Sequence, residues 1–128
     1  MPDLQALVAE AAVILDRAAV AFVAGNARLT VGRRFATVLT SAAGDPLDKT
    51  YYQTVKGMVT PLDILEPGGT LIVASACSEC LGSHEFRASQ ARLVELGPDA
   101  FLQTLLAKRF ADVDEWQTEM QLKPMRAG

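Results

Sequence analysis

Two strand-like runs, residues 35–41 and 70–76, stand on either side of one helical pattern, and this spacing narrows the fold more than any other feature. Phe35-Ala-Thr-Val-Leu-Thr-Ser41 has β-branched and aromatic character. Thr70–Ala76 is a continuous apolar run, of the kind expected for a strand covered on both faces. Between them, Tyr51, Val55, Met58, Val59 and Leu62 fall on one face at about 100° per residue. Strand, helix and strand this close together make a βαβ unit, with parallel strands and a right-handed crossover. The expected class is therefore α/β: a small parallel sheet containing this unit, flanked by helices, in a single domain over residues 1–128.

Both strands of such a unit end at the same sheet edge. The segments leaving it are Ala42–Leu47 and Cys77–Ser83, and the connecting helix begins there too. Ligands of open α/β sheets bind at that edge. The helix is expected to start near Asp48, whose carboxylate suits an N-cap, with Pro46 favouring a loop before it. With the apolar face buried, Tyr52, Gln53 and Lys56 share the polar side, Tyr52 at its border. They set a phenol, an amide and an ammonium side by side. A solvated helix face is the ordinary alternative.

The rest of the chain supplies helices. Leu4, Leu7, Val8, Ala11, Leu15 and Ala18 predict an amphipathic helix over Asp3–Arg17. Residues 19–24 (AVAFVA) read as a short buried strand, Gly25-Asn26 as a turn, and Ala27–Val31 as a hairpin partner. Pro61 either kinks the central helix or opens a second short one after Thr60. Pro67-Gly68-Gly69 reads as a plain turn rather than an anion cradle, because it lies at the edge opposite the ligand edge. Ser83 caps a helix through residue 96, Pro98 opens another whose stripe runs Phe101, Leu102, Leu105, Leu106 and Phe110, and Asp112 or Asp114 starts a last helix carrying Trp116 and Met120.

Composition removes several classes of function. The net charge is −3, and basic residues come together only in short doublets such as Arg33-Arg34, so a nucleic-acid partner is not expected. Glu10, Asp16 and Arg17 interrupt the Ala- and Val-rich start, leaving no run of the roughly 20 apolar residues needed to cross a membrane. Without a basic leader and cleavage site, a cytoplasmic location is the default. Cys77 and Cys80 form a single CSEC with Glu79 between them. A structural zinc site takes four ligands and only His84 lies nearby. A redox pair wants an electropositive surrounding. Chance spacing is the simplest reading, and His84, the single histidine, reads as a surface or helix-start residue.

The run DPLDKTYYQTVKGM, followed by EPGGTLIVASACSE and LGSHEF, resembles the C-terminal domain of the lactate racemase family, the nickel-pincer-dependent 2-hydroxyacid racemases and epimerases. The likeness covers residues 35–90 clearly and the tail around Asp114-Glu-Trp116 more weakly. It implies a domain that closes over a cleft against a larger N-terminal domain. There a nickel-bearing pincer nucleotide and histidines would remove hydride from C2 of a 2-hydroxyacid and return it to either face. Substrate-binding residues carried over by motif are Tyr52, Gln53 and Lys56, with Lys56 neutralising a substrate carboxylate or cofactor phosphate and the other two orienting it.

Asp45, Cys80 and Pro61 depart from the family pattern, and one histidine does not supply a base pair plus a metal ligand. The expectation is an excised or split domain that lacks the metal- and base-bearing N-terminal domain. It would be non-catalytic alone, hold no cofactor by itself, and need the missing domain or a partner chain. Self-association through one of the helices that carry the apolar stripes Leu4–Leu15 and Phe101–Phe110 is expected in its place. Two other readings stay open: a free-standing small-anion binding domain, and a structural or interaction module.

Overall fold

The computed structural model describes residues 4–127. They fall into two compact units, within residues 1–32 and 33–128. The first holds one helix, α1 (Leu4–Ala27). The strand expected at 19–24 and its hairpin partner are not formed there; the helix runs through 19–24 and ends at Ala27, and residues 28–31 follow without regular structure. An apolar run of this length fits either state. Ala18, Ala19, Ala21 and Ala24 favour the helix, and extending a helix already begun needs no new nucleus. Ile14, Leu15, Val20 and Phe22 on α1 are exposed. The part of the expected helix at Asp3 lies outside the described residues.

The second unit runs β1 (Phe35–Ser41), α2 (Tyr51–Val59), a 3₁₀ turn (Thr60–Ile64), β2 (Leu65–Ala74), α3 (His84–Leu96), α4 (Pro98–Leu106) and α5 (Glu115–Ala127). β1 and β2 pair in parallel, so the α/β reading and the βαβ unit hold. Pro61 sits buried at the start of the 3₁₀ turn, where its missing N–H is harmless. β2 begins five residues before the expected Thr70, and Pro67-Gly68-Gly69 is an irregularity within the strand rather than a turn ahead of it. The pairing passes from Phe35↔Leu65 to Thr37↔Thr70 across that bulge. A Cβ on Gly69 would lie 2.8 Å from the Glu66 carbonyl oxygen and 2.9 Å from that of Ala36, so only glycine fits where the strands close up.

One face of the sheet is covered and the other is open. Val38 is buried, while Leu39 and its register partner Ile72 are 73% and 50% exposed. The expectation of a β2 covered on both faces therefore fails: two strands with helices on one side leave alternate residues in solvent. α5 packs against α2, α3, α4 and β2. Leu93, Phe101 and Leu122 form the helical core, with Leu102 and Leu105 against it. Leu106 at the end of α4 and Phe110 beyond it are both exposed, so the buried part of the expected stripe stops at Leu105.

A buried charge ties the three C-terminal helices together. Glu115, only 1% exposed, accepts from Arg92 Nη1 at 2.9 Å and from Lys108 Nζ at 2.7 and 2.9 Å. It also takes the Asp112 N–H at 2.9 Å. Burial works to raise this carboxyl. The hydrogen bonds from Lys108, the Asp112 backbone and Arg92 outweigh it and hold the group below the ordinary carboxylate range.

Candidate functional site

The carboxyl ends of both strands meet at a strap of backbone. Asp48 does not cap α2, as the sequence suggests; Thr50 does, its Oγ1 accepting from Gln53 N–H at 3.4 Å. Asp48 is buried instead, and its Oδ2 accepts from Ala76 N–H at 3.0 Å while its carbonyl accepts from Cys77 N–H at 2.9 Å. The carboxylate thus joins the loop after β1 to the loop after β2.

The strap continues along the helix start. Glu79 N–H donates to the Lys49 carbonyl at 2.7 Å. Tyr51 N–H donates to Cys80 at 2.9 Å and Tyr52 N–H to Leu81 at 3.1 Å. These are first-turn donors of α2, normally unpaired and open to an anion. Here the strap has taken them. The Tyr51 and Tyr52 N–H groups are therefore not open to an anion.

Both cysteines are free and serve the strap. Cys77 Sγ lies 3.4 Å from both Thr54 Oγ1 and Ser75 Oγ, which are themselves 2.6 Å apart. His84 is the exposed first residue of α3, capped by Ser83, whose Oγ accepts from Phe86 N–H at 3.0 Å.

Tyr52, Gln53 and Lys56 lie one turn apart at this edge, yet they do not face a single recess. Gln53 and Lys56 line a cleft with Ser41, Ala42, Leu47 and Thr60. Tyr52 lines a second recess of about 350 Å³ with Thr50, Glu79, Gly82, Ser83 and Asp114. The ammonium of Lys56 bridges the two, 5.5 Å from the centre of the Tyr52 ring, within the range of a cation–π contact. Lys56 is exposed, and among the described residues no carboxylate pairs with it.

Tyr52 is fixed from several sides. Its ring meets Phe86 edge-on at 5.2 Å and Trp116 edge-on at 6.1 Å. Its carbonyl accepts from the buried Gln117 Nε2 at 2.7 Å. Gly82, at φ 120°, passes so near that a Cβ there would stand 3.1 Å from Tyr52 Cβ. Burial, and secondarily the Asp114 carboxylate, push the phenol above its usual value. It therefore stays a neutral O–H donor at neutral pH.

Asp114, Trp116 and Gln117 were not among the candidates from sequence, although they frame Tyr52. Their only signal was the weaker end of the resemblance, since the contacts cross 62 or more residues. Helical spacing says nothing about partners so remote.

Comparisons with known proteins bear on the family and the fold. A family model described as "Lactate racemase C-terminal domain" matches residues 33–126, which is nearly the whole second unit. The lactate racemase of Thermoanaerobacterium thermosaccharolyticum is 41% identical over 49 residues, 38% of this chain and 12% of that protein. The structure of the lactate racemase apoprotein from the same organism superposes with a TM-score of 0.65 at 26% identity, covering 72% of this chain and 22% of that one. The chain thus spans well under a third of either relative.

Proposed function

Because the chain belongs to the lactate racemase C-terminal domain family, we propose that Tyr52, Gln53 and Lys56 form one wall of a cleft for a small 2-hydroxycarboxylate in a racemase or epimerase. The observation that carries this reading is the unpaired Lys56 ammonium standing over the Tyr52 ring beside Gln53, at the carboxyl edge of both strands. Lys56 supplies a positive charge for the substrate carboxylate. Gln53 supplies both a donor and an acceptor, and the neutral Tyr52 phenol a donor. The strap occupies the α2 backbone donors, so these side chains do the recognising.

The groups that act at the substrate's C2 carbon belong elsewhere in this reading, on an N-terminal domain or partner chain. The nickel-pincer nucleotide implied by the family takes histidine ligands. Among the described residues no three His, Cys, Asp or Glu side chains gather to hold a metal ion, so the residues present do not supply that ligand set. The chain's own part is to bind and orient, without turnover by itself, and a cytoplasmic setting belongs to the same reading. Among the described residues no helix is long and apolar enough to cross a membrane.

Titration with D- and L-lactate, followed by NMR at the Gln53 side-chain amide and the Lys56 ammonium, tests the reading. Saturable shifts at both groups, lost in Lys56→Met, are expected. Equal shifts from chloride at the same ionic strength would reduce the site to general anion binding. No shift at either group would leave the trio a solvated helix face.

A further inference from the structure

Asp114 holds an unusual place. It takes a left-handed backbone, φ 61°, immediately before α5, a conformation that Asp and Asn tolerate better than most residues. Its Oδ2 accepts the Ser83 hydroxyl at 2.5 Å, across 31 residues. Ser83 is at the same time the N-cap of α3. One carboxylate therefore links the first turns of two helices. Two and three residues beyond it in α5 come Trp116, edge-on to Tyr52, and Gln117, bonded to the Tyr52 carbonyl. Three residues beyond Ser83 in α3 comes Phe86, also edge-on to Tyr52.

We propose that Asp114 is a positioning residue for Tyr52: by clasping Ser83 it fixes the starts of α3 and α5, and with them the Phe86 and Trp116 rings that orient the phenol toward the substrate. The substrate-facing part of this statement rests on the function proposed above; the clasp itself does not. A merely structural link would hold the helices without regard to the phenol. This carboxylate also lines the recess that Tyr52 opens into, and its charge acts on the Tyr52 O–H. The other charged groups near that phenol are Lys56 from its own helix and Glu79 from the strap, the latter paired with Lys49 at 3.3 Å.

Two substitutions separate the parts, and both suit the left-handed backbone. Asp114→Asn keeps an acceptor for Ser83 and removes the charge. Asp114→Gly removes the clasp while leaving the Ser83 cap in place. The chain has two tyrosines and one tryptophan, so ¹³Cζ-tyrosine titration and the Trp116 indole resonance read the site without ligand. In Asp114→Asn the Tyr52 midpoint should fall toward the ordinary tyrosine value while that of Tyr51 stays put. In Asp114→Gly the Trp116 indole signal should shift and broaden, with lactate affinity reduced about tenfold or more. An unmoved Tyr52 midpoint in Asp114→Asn, or an unmoved indole signal in Asp114→Gly, overturns the proposal. If both signals move as expected but lactate binds neither form, the clasp stands and the substrate reading falls.

Discussion

Lys56 Nζ stands 5.5 Å from the centre of the Tyr52 ring, although the two residues open into different recesses. Four positions apart on α2, they meet by helical geometry alone. The ammonium is thereby oriented without being neutralised, and under the proposed function an incoming carboxylate would meet a charge whose direction is already restricted.

The value of that charge is measurable. A charge-assisted hydrogen bond contributes roughly 1.5–3 kcal/mol. In an enzyme completed by the N-terminal half of a lactate racemase, Lys56→Ala should cost about 10- to 150-fold in kcat/KM. Gln53→Ala should show a smaller loss of the same kind. Thermal unfolding of both should stay near the parent, because Lys56 is exposed and Gln53 only partly buried. Full retention of kcat/KM in Lys56→Ala would exclude a substrate contact.

Val55→Ala should behave in the opposite way. Val55 is fully buried on the inner face of α2, at 0% exposure. Two buried carbons at about 0.8 kcal/mol each, plus a residual cavity, predict a loss of about 1.5–3 kcal/mol. Lactate-induced shifts at Gln53 should persist at temperatures where the variant is folded. Denaturant unfolding is the measurement, and a change below about 0.5 kcal/mol would contradict the packing.

Glu115 sets the acid limit of the C-terminal helices. Its folded pKa is depressed below the unfolded value, so its contribution is fully present above the unfolded pKa and lost as pH falls through the folded one. Lys108 is raised by its hydrogen bonds to Asp112 and Glu115, so its contribution fades only in strongly alkaline solution. Stability should accordingly decline as pH drops below the ordinary carboxylate range. Glu115→Gln should flatten that decline and destabilise at neutral pH by about 1–3 kcal/mol, a loss moderated because Arg92 is 38% exposed and Lys108 keeps its bond to Asp112. Chemical unfolding of both proteins from pH 3 to pH 7 tests the sign.

Gly69→Ala should damage the sheet. The added methyl would meet two carbonyl oxygens at under 3.0 Å, and both belong to backbone. Overpacking of this kind costs about 1–3 kcal/mol. Amide exchange at Thr70 and Leu71 should accelerate with it; unchanged protection there would mean the bulge is looser than its geometry.

Local chemistry fixed much of this protein from sequence alone. The bounds of β1, the Ser83 cap and the Pro98 helix start depend on residues within a turn or two of one another, and the parallel βαβ unit follows from the order and spacing of such local elements. The side-by-side placing of Tyr52, Gln53 and Lys56 is of the same kind, because a 3.6-residue period fixes it before any partner arrives. Tertiary structure decided what these residues face. Asp48 has all the marks of a helix cap, but its carboxylate bonds to Ala76, 28 residues away, and Thr50 caps instead. AVAFVA had no local reason to choose strand over helix until a helix ran into it. The division of the trio between two recesses, and the Asp114, Trp116 and Gln117 frame around Tyr52, come from helices that meet only when the core closes. Periodicity reports which side of a helix is buried; which neighbour buries it is decided by the packing of the whole unit.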